Sequence, residues 1–140
     1  MAYWLVKSEP DVFSWDDQVK EGKKGTAWTG VRAHPAKLNL MKMAKSDKAF
    51  FYHSGDVRAI IGVVEIAEPA YPDPTAEAGS PWVVVDTVAL EALPKAVTLA
   101  QVKADETLGE MALVKLSRLS VQPVTAAEWK RVCKLGGLKA

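Results

Sequence analysis

The sequence predicts an α+β fold: a small, mostly antiparallel β-barrel with short helices at its margins. Three observations carry this expectation. Strand-like stretches rich in aromatic and branched residues occur near both ends of the chain and in its middle, without the regular strand-helix alternation of a doubly wound parallel sheet. Short, well-capped helix starts fall between them. A turn signal at Gly55-Asp56 and a long proline-rich connection from Pro69 to Pro81 both suit antiparallel neighbours. At 140 residues the chain reads as one domain, residues 1–140, large enough to bury a hydrophobic core.

Tyr3-Trp4-Leu5-Val6-Lys7 is aromatic and branched and opens the fold as a strand. Pro10 breaks it, because proline cannot donate to a ladder. Ser14 with Asp17 behind it marks a short helix ending near Glu21-Gly22: a hydroxyl cap, then a carboxylate favoured by the helix dipole. Thr26-Ala27-Trp28 is a brief extended piece. Pro35 to Ala44 is helical, with Leu38 and Met41 facing inward, Leu40 and Ala44 as further inward candidates, and Lys37, Lys42 and Lys45 towards solvent. Ala49–Ser54 and Ile60–Ala67 form a hairpin about Gly55. After the proline-rich loop, Trp82–Leu90 is a long strand. Thr98 with Gln101 and Thr125 with Glu128 have the capping-box form, flanked by Val97 with Val102 and Val124 with Trp129 as staples. Between these two starts, Leu108–Lys115 has helical character and Arg118–Pro123 is a last strand.

Half of the residues are apolar (49%) and a quarter are charged (25%), which excludes a disordered chain. One cysteine excludes an internal disulfide and suits a reducing compartment. No apolar run reaches the roughly 18 residues of a membrane span, and the N-terminus shows no signal-peptide pattern, so no membrane partner and a cytoplasmic location are expected. The net charge of +1 hides a segregation. Lys20–Lys48 holds eight basic and two acidic residues, a balance of +6, leaving −5 elsewhere. A face of that kind suits phosphate contact, and it equally suits a solvated lysine-rich surface.

Enzyme signatures are absent: there is no phosphate loop, GxGxxG, HExxH or CxxC motif, and two histidines with one cysteine argue against a metal site. No cofactor is expected. Cys133 shares a helix face with Trp129 and Val132, which favours a buried structural thiol over a nucleophile served by His34 or His53. Asp16-Asp17 is explained by its place at a helix start. Trp4, Trp82 and Trp129 occupy core positions and Trp15 is ambiguous. Trp28 differs, because Trp28-Thr29-Gly30-Val31-Arg32 sets an indole, a glycine and a guanidinium within five residues and no apolar period claims it. Stacking on a base and ordinary core packing both remain open for it.

Several ordered blocks resemble one family. They are Tyr3–Pro10, Trp28–Arg32, Phe50–Ser54, Tyr71-Pro72-Asp73, Arg118–Val124 and Glu128-Trp129. Together they resemble the EVE domain family over nearly the whole chain. The resemblance implies a PUA-like fold, a β-barrel related to that of the YTH domains that bind methylated adenine. It also implies a non-catalytic module that binds DNA or RNA carrying a modified base, modified cytosine or methylated adenine.

The implied pocket is lined by Lys7, Ser8, Trp28, Gly30, Val31, Arg32, Tyr52, His53 and Ser54, with Asn39, Arg118 and Ser120 as further members. Trp28 would stack on the base, Gly30 would let backbone approach it, Ser8 and Ser54 would read its edge, and Arg32 and Lys7 would address phosphate. The family pattern is departed from at Thr29, Ala33-His34 and Lys37-Leu38-Asn39, beside that pocket. Two other functions fit the sequence: a protein-interaction scaffold with a vestigial pocket, and an enzyme acting on modified nucleotides with His53 or Asp73 as acid or base.

Overall fold

The computed structural model describes residues 1–139. The chain forms β1 (Tyr3–Ser8), α1 (Trp15–Lys20), β2 (Thr26–Ala27), α2 (His34–Lys42), β3 (Lys48–His53), β4 (Ala59–Pro72) and β5 (Val83–Thr98). It then forms α3 (Leu99–Ala104), α4 (Ala112–Lys115), β6 (Val121–Val124) and α5 (Ala126–Gly136). All six strands join one sheet in the order β2-β5-β4-β3-β1-β6. β1 runs parallel to β3, and the other pairings are antiparallel.

The α+β class is as expected, but the barrel is not closed. Among the described residues no pairing joins β2 to β6. These edge strands hold two and four residues, too few to sustain the staggered ladder that closes a barrel. Helices cover the faces instead.

Alternation along the strands divides the core in two. Leu5, Phe50 and Tyr52 turn to one face, with Val102 of α3, Leu113 of α4 and Trp129, Val132 and Cys133 of α5. Trp4, Val6 and Phe51 turn to the other, with Trp15 of α1 and Ala36 and Leu40 of α2. A sheet buried on both sides needs apolar residues at consecutive positions, which is why Trp4-Leu5-Val6 and Phe50-Phe51-Tyr52 are unbroken runs. Three helix starts read from the sequence carry reciprocal capping boxes: Ser14 with Asp17, Thr98 with Gln101 and Thr125 with Glu128. α1 is further tied to the sheet through buried Gln18, whose amide donates to Thr87 O at 3.1 Å and accepts from Thr87 Oγ1 at 3.0 Å. Trp15 lies so close over Gly62 of β4 that a Cβ there would fall 2.5 Å from the indole.

Four sequence expectations change. β4 continues through Pro69 to Pro72, and the connection is residues 73–82. β3 pairs with β4 as far as Glu65, Ile66 still bonds to Ser46 and Asp47, and Pro69 falls beyond both, in the register break between Glu68 and Tyr71 opposite β5. β5 runs on to Thr98, well past Leu90. In α2 the inward residues are Ala36 and Leu40, while Leu38 and Met41 are exposed: small Ala36 sets which side approaches the sheet. Arg118–Ser120 is a turn, and the last strand begins at Val121, opposite Val6. The helical character expected of 108–115 is met by the single turn α4, after a 3-10 turn at Glu106–Leu108.

Candidate nucleic-acid interface

Where β1 ends, its last two residues help line a cavity of about 400 Å³. Lys7 and Ser8 come from β1, Glu9, Val12 and Phe13 from the turn after it, and Thr26 to Gly30 from β2 and the loop that leaves it. Two amide bonds to Glu9 O, from Val12 at 3.0 Å and Phe13 at 2.9 Å, fold the first turn tightly. Ser8 Oγ donates to Phe13 O at 2.7 Å, so its hydrogen is committed and only its lone pairs face the cavity. Burial pulls the Lys7 ammonium below its ordinary pKa; its Nζ donates to Ser117 O at 2.7 Å and sits 5.7 Å over the Tyr52 ring.

Trp28 is both core and wall. It is only 6% exposed, packs in the second core cluster and donates its backbone N–H to Val85 O at 2.8 Å. Its ring contacts are perpendicular: Phe51 at 5.5 Å and 87°, Phe13 at 6.0 Å and 88°. Among the described residues no aromatic ring lies parallel to this indole.

The loop after Trp28 is held from a distance. The Asp73 side chain is fully buried at the tip of the β4–β5 hairpin. It accepts from Gly30 N–H at 3.3 Å, Arg32 Nη1 at 2.9 Å, Thr75 N–H at 2.7 Å and Thr75 Oγ1 at 2.6 Å. Burial pushes this carboxyl up, but the bonds from Thr75, Arg32 and Gly30 outweigh it and bring it down to about 2. Arg32 also donates to Val31 O at 3.0 Å and to Thr75 Oγ1 at 3.3 Å. The guanidinium expected to address phosphate is therefore engaged as a strut. Gly30 is required for its φ of 84° and not for close approach, since a Cβ there would meet nothing within 4 Å.

The other expected pocket members lie elsewhere. Val31 is 7% exposed and packs in the core. Tyr52 packs on the opposite face of the sheet from Trp28. His53 Nε2 accepts the Trp15 N–H at 3.0 Å; burial lowers its pKa, with the charge of Asp16 opposing. Ser54 donates its amide to Ser8 O at 3.0 Å. Asn39 Nδ2 donates to Val121 O at 2.7 Å, joining α2 to β6. Trp82, expected in the core, is half-buried against the His34 ring with centroids 4.9 Å apart.

Arg118 and Ser120 line a second cavity of about 440 Å³, with Ala33, Pro35, Ala36 and the rest of Lys115–Leu119. The sequence reading missed Glu9, Val12 and Phe13, whose irregular turn has no periodic signature. It also missed the anchoring role of Asp73, for which Asp73-Pro74-Thr75 was the available sign: a carboxylate two residues before a threonine folds back on its amide and hydroxyl.

The arrangement is a slot with one aromatic wall, hydroxyls from Ser8, Thr26 and Thr29, an ammonium and an exposed carboxylate, Glu9. Among the described residues no three His, Cys, Asp or Glu side chains come together as metal ligands, and Cys133 is buried under α5. Residues 2–135 match the family model of the EVE domain. The chain belongs to the EVE domain family. Among solved structures similar to this EVE domain is protein Atu2648 from Agrobacterium tumefaciens, with TM-score 0.97 and 46% identity, covering 99% of this chain and 94% of that one. Human THYN1, solved in complex with 5-methylcytosine containing DNA, gives TM-score 0.90 at 30% identity over 100% of both chains. The YTH domain of Zygosaccharomyces rouxii MRB1 shares the fold alone, at TM-score 0.58 and 16% identity over 99% of this chain and 88% of that one.

Proposed function

We propose that this EVE domain is a non-catalytic module that binds nucleic acid by holding one modified base in the cavity walled by Trp28. The observation that carries the reading is an indole that, among the described residues, has no parallel partner ring and that lines a cavity with room for a nucleobase. Similarity over the full length to human THYN1, a protein solved with methylated DNA, supports it. Stacking uses Trp28, and the rim carboxylate of Glu9 accepts from the exocyclic amino group that cytosine and adenine both carry. Lys7 is the cation nearest the base, and the Lys20–Lys48 segment supplies the wider positive field.

The enzymatic alternative loses its acid and base. His53 accepts an amide hydrogen outside the cavity, and Asp73 is a fully bonded carboxylate in an ion pair. The decisive experiment is fluorescence anisotropy with matched oligonucleotides, DNA and RNA, carrying 5-methylcytosine, N6-methyladenine or the plain base. Tighter binding of one modified strand, weakening with salt, is expected. Equal affinity for modified and plain strands at low salt overturns the proposal.

A further inference from the structure

The second cavity is linked to the first through Lys7. Lys7 lines the first and donates to Ser117 O, and its amide donates to Ser120 O at 2.9 Å; both acceptors belong to residues lining the second. One lysine thus joins the linings of the two spaces, about 400 and 440 Å³. We propose that the second cavity holds the nucleoside next to the captured base on the same strand. This rests on the base-binding reading and extends it to a two-nucleotide footprint.

The chemistry of the lining argues for that occupant. Pro35, Leu116 and Leu119 offer apolar surface for the face of a base or ribose, and Ser117 and Ser120 offer hydroxyls for its polar edge. At the mouth, exposed Arg118 forms no ion pair among the described residues. Its planar fork suits the phosphate that joins the two nucleotides. Lys115 stands beside it, 3.6 Å from a largely exposed glutamate, Glu110, that competes weakly for it in water. On the opposite rim α2 begins at Ala33 without a side-chain cap, leaving the partial positive charge of that helix end uncompensated. Arg32 is occupied by Asp73, so Arg118 takes over the phosphate role that the sequence assigned to Arg32.

The test is amide NMR combined with affinity. The probes are the preferred modified nucleotide as a 5′-monophosphate, a trinucleotide with that base at its centre, and the same trinucleotide made abasic at either flank. The trinucleotide is expected to shift Ala33 and Ser117–Ser120 together with Trp28–Gly30, and one abasic flank is expected to remove the first set only. Leu116→Trp, at an exposed position that makes no hydrogen bond to Lys7, is expected to lower trinucleotide affinity at least about fivefold and monophosphate affinity far less. Arg118→Gln is expected to act in the same direction and to reduce the salt dependence. Shifts confined to Trp28–Gly30 with every probe overturn the second site and leave the base pocket standing. Shifts at neither set overturn both.

Discussion

Trp129 and Trp28 sit on opposite faces of one sheet, each against a neighbouring phenylalanine of β3, and are packed in different ways. Trp129 lies nearly parallel to Phe50, centroids 3.8 Å apart at 16°, and to Tyr3 at 4.5 Å and 19°. Its π-surface is spent on the protein. Trp28 meets Phe51 and Phe13 at right angles and lines a cavity of about 400 Å³, where Trp129 borders one of only about 110 Å³. Two indoles of almost equal burial, 5% and 6%, thus differ in what their rings contact. Burial alone does not distinguish the two rings; the orientation of their neighbours does, and the proposed stacking role of Trp28 rests on that difference.

Substitutions that tell the two faces apart can be ranked. Trp129→Ala should have the largest effect, about 3–5 kcal/mol of stability by urea unfolding, because it empties a stacked core position. At protein concentrations and temperatures where the variant is folded, its affinity for nucleic acid should stay close to that of the parent. Trp28→Phe keeps much of the core volume and should cost about 1–3 kcal/mol of binding with a smaller loss of stability. If stability falls and binding holds, Trp28 is a core residue only and the comparison fails.

Asp73→Asn comes next, at about 1–3 kcal/mol of stability, because Arg32 and Gly30 lose a charged acceptor. It carries a pH signature. The folded pKa of about 2 lies below the ordinary 3.8, so the unfolded chain binds the proton more readily. The contribution of Asp73 is complete above the unfolded pKa and is lost as pH falls from about 4 towards 2. The variant should show a shallower acid slope in unfolding midpoints between pH 5 and 3. The smallest effects are those of the helix caps, where Ser14→Ala and Thr125→Ala should each cost about 1 kcal/mol. Only Ser14→Ala, next to Phe13 in the cavity lining, should also weaken binding.

What the sequence made legible was local. Capping boxes are four-residue signals, and two helix starts, Thr98 and Thr125, were readable from them; Ser14 was readable as a hydroxyl cap and Pro35 as a first-turn proline. Trp28 and Gly30 were found because indole and glycine fall in one short segment free of any apolar period. What escaped depended on distant partners. Arg32 reads as a free cation until Asp73, 41 residues on, is placed against it. Tyr52 was placed in the pocket with its neighbours, yet strand alternation puts it on the opposite face from Phe51, which is the ring that touches Trp28. The barrel was overdrawn because closure depends on the lengths of β2 and β6, and strand ends are weakly written. Leu38 and Met41 were turned inward because bulk was given more weight than the small residue that lets a helix approach a sheet.

The pairing of β1 with β6 has a consequence for biosynthesis. Val6 lies opposite Val121 and Trp4 opposite Pro123, so a strand made among the first residues waits for one made among the last. Until those residues leave the ribosome, β1 is an open edge of the kind that invites wrong partners. Lys7 meanwhile lacks both Ser117 and Ser120, which hold its ammonium and its amide. The nascent chain therefore has its aromatic wall early and its positioned lysine only at the end, and the site is finished in the same step that completes the sheet.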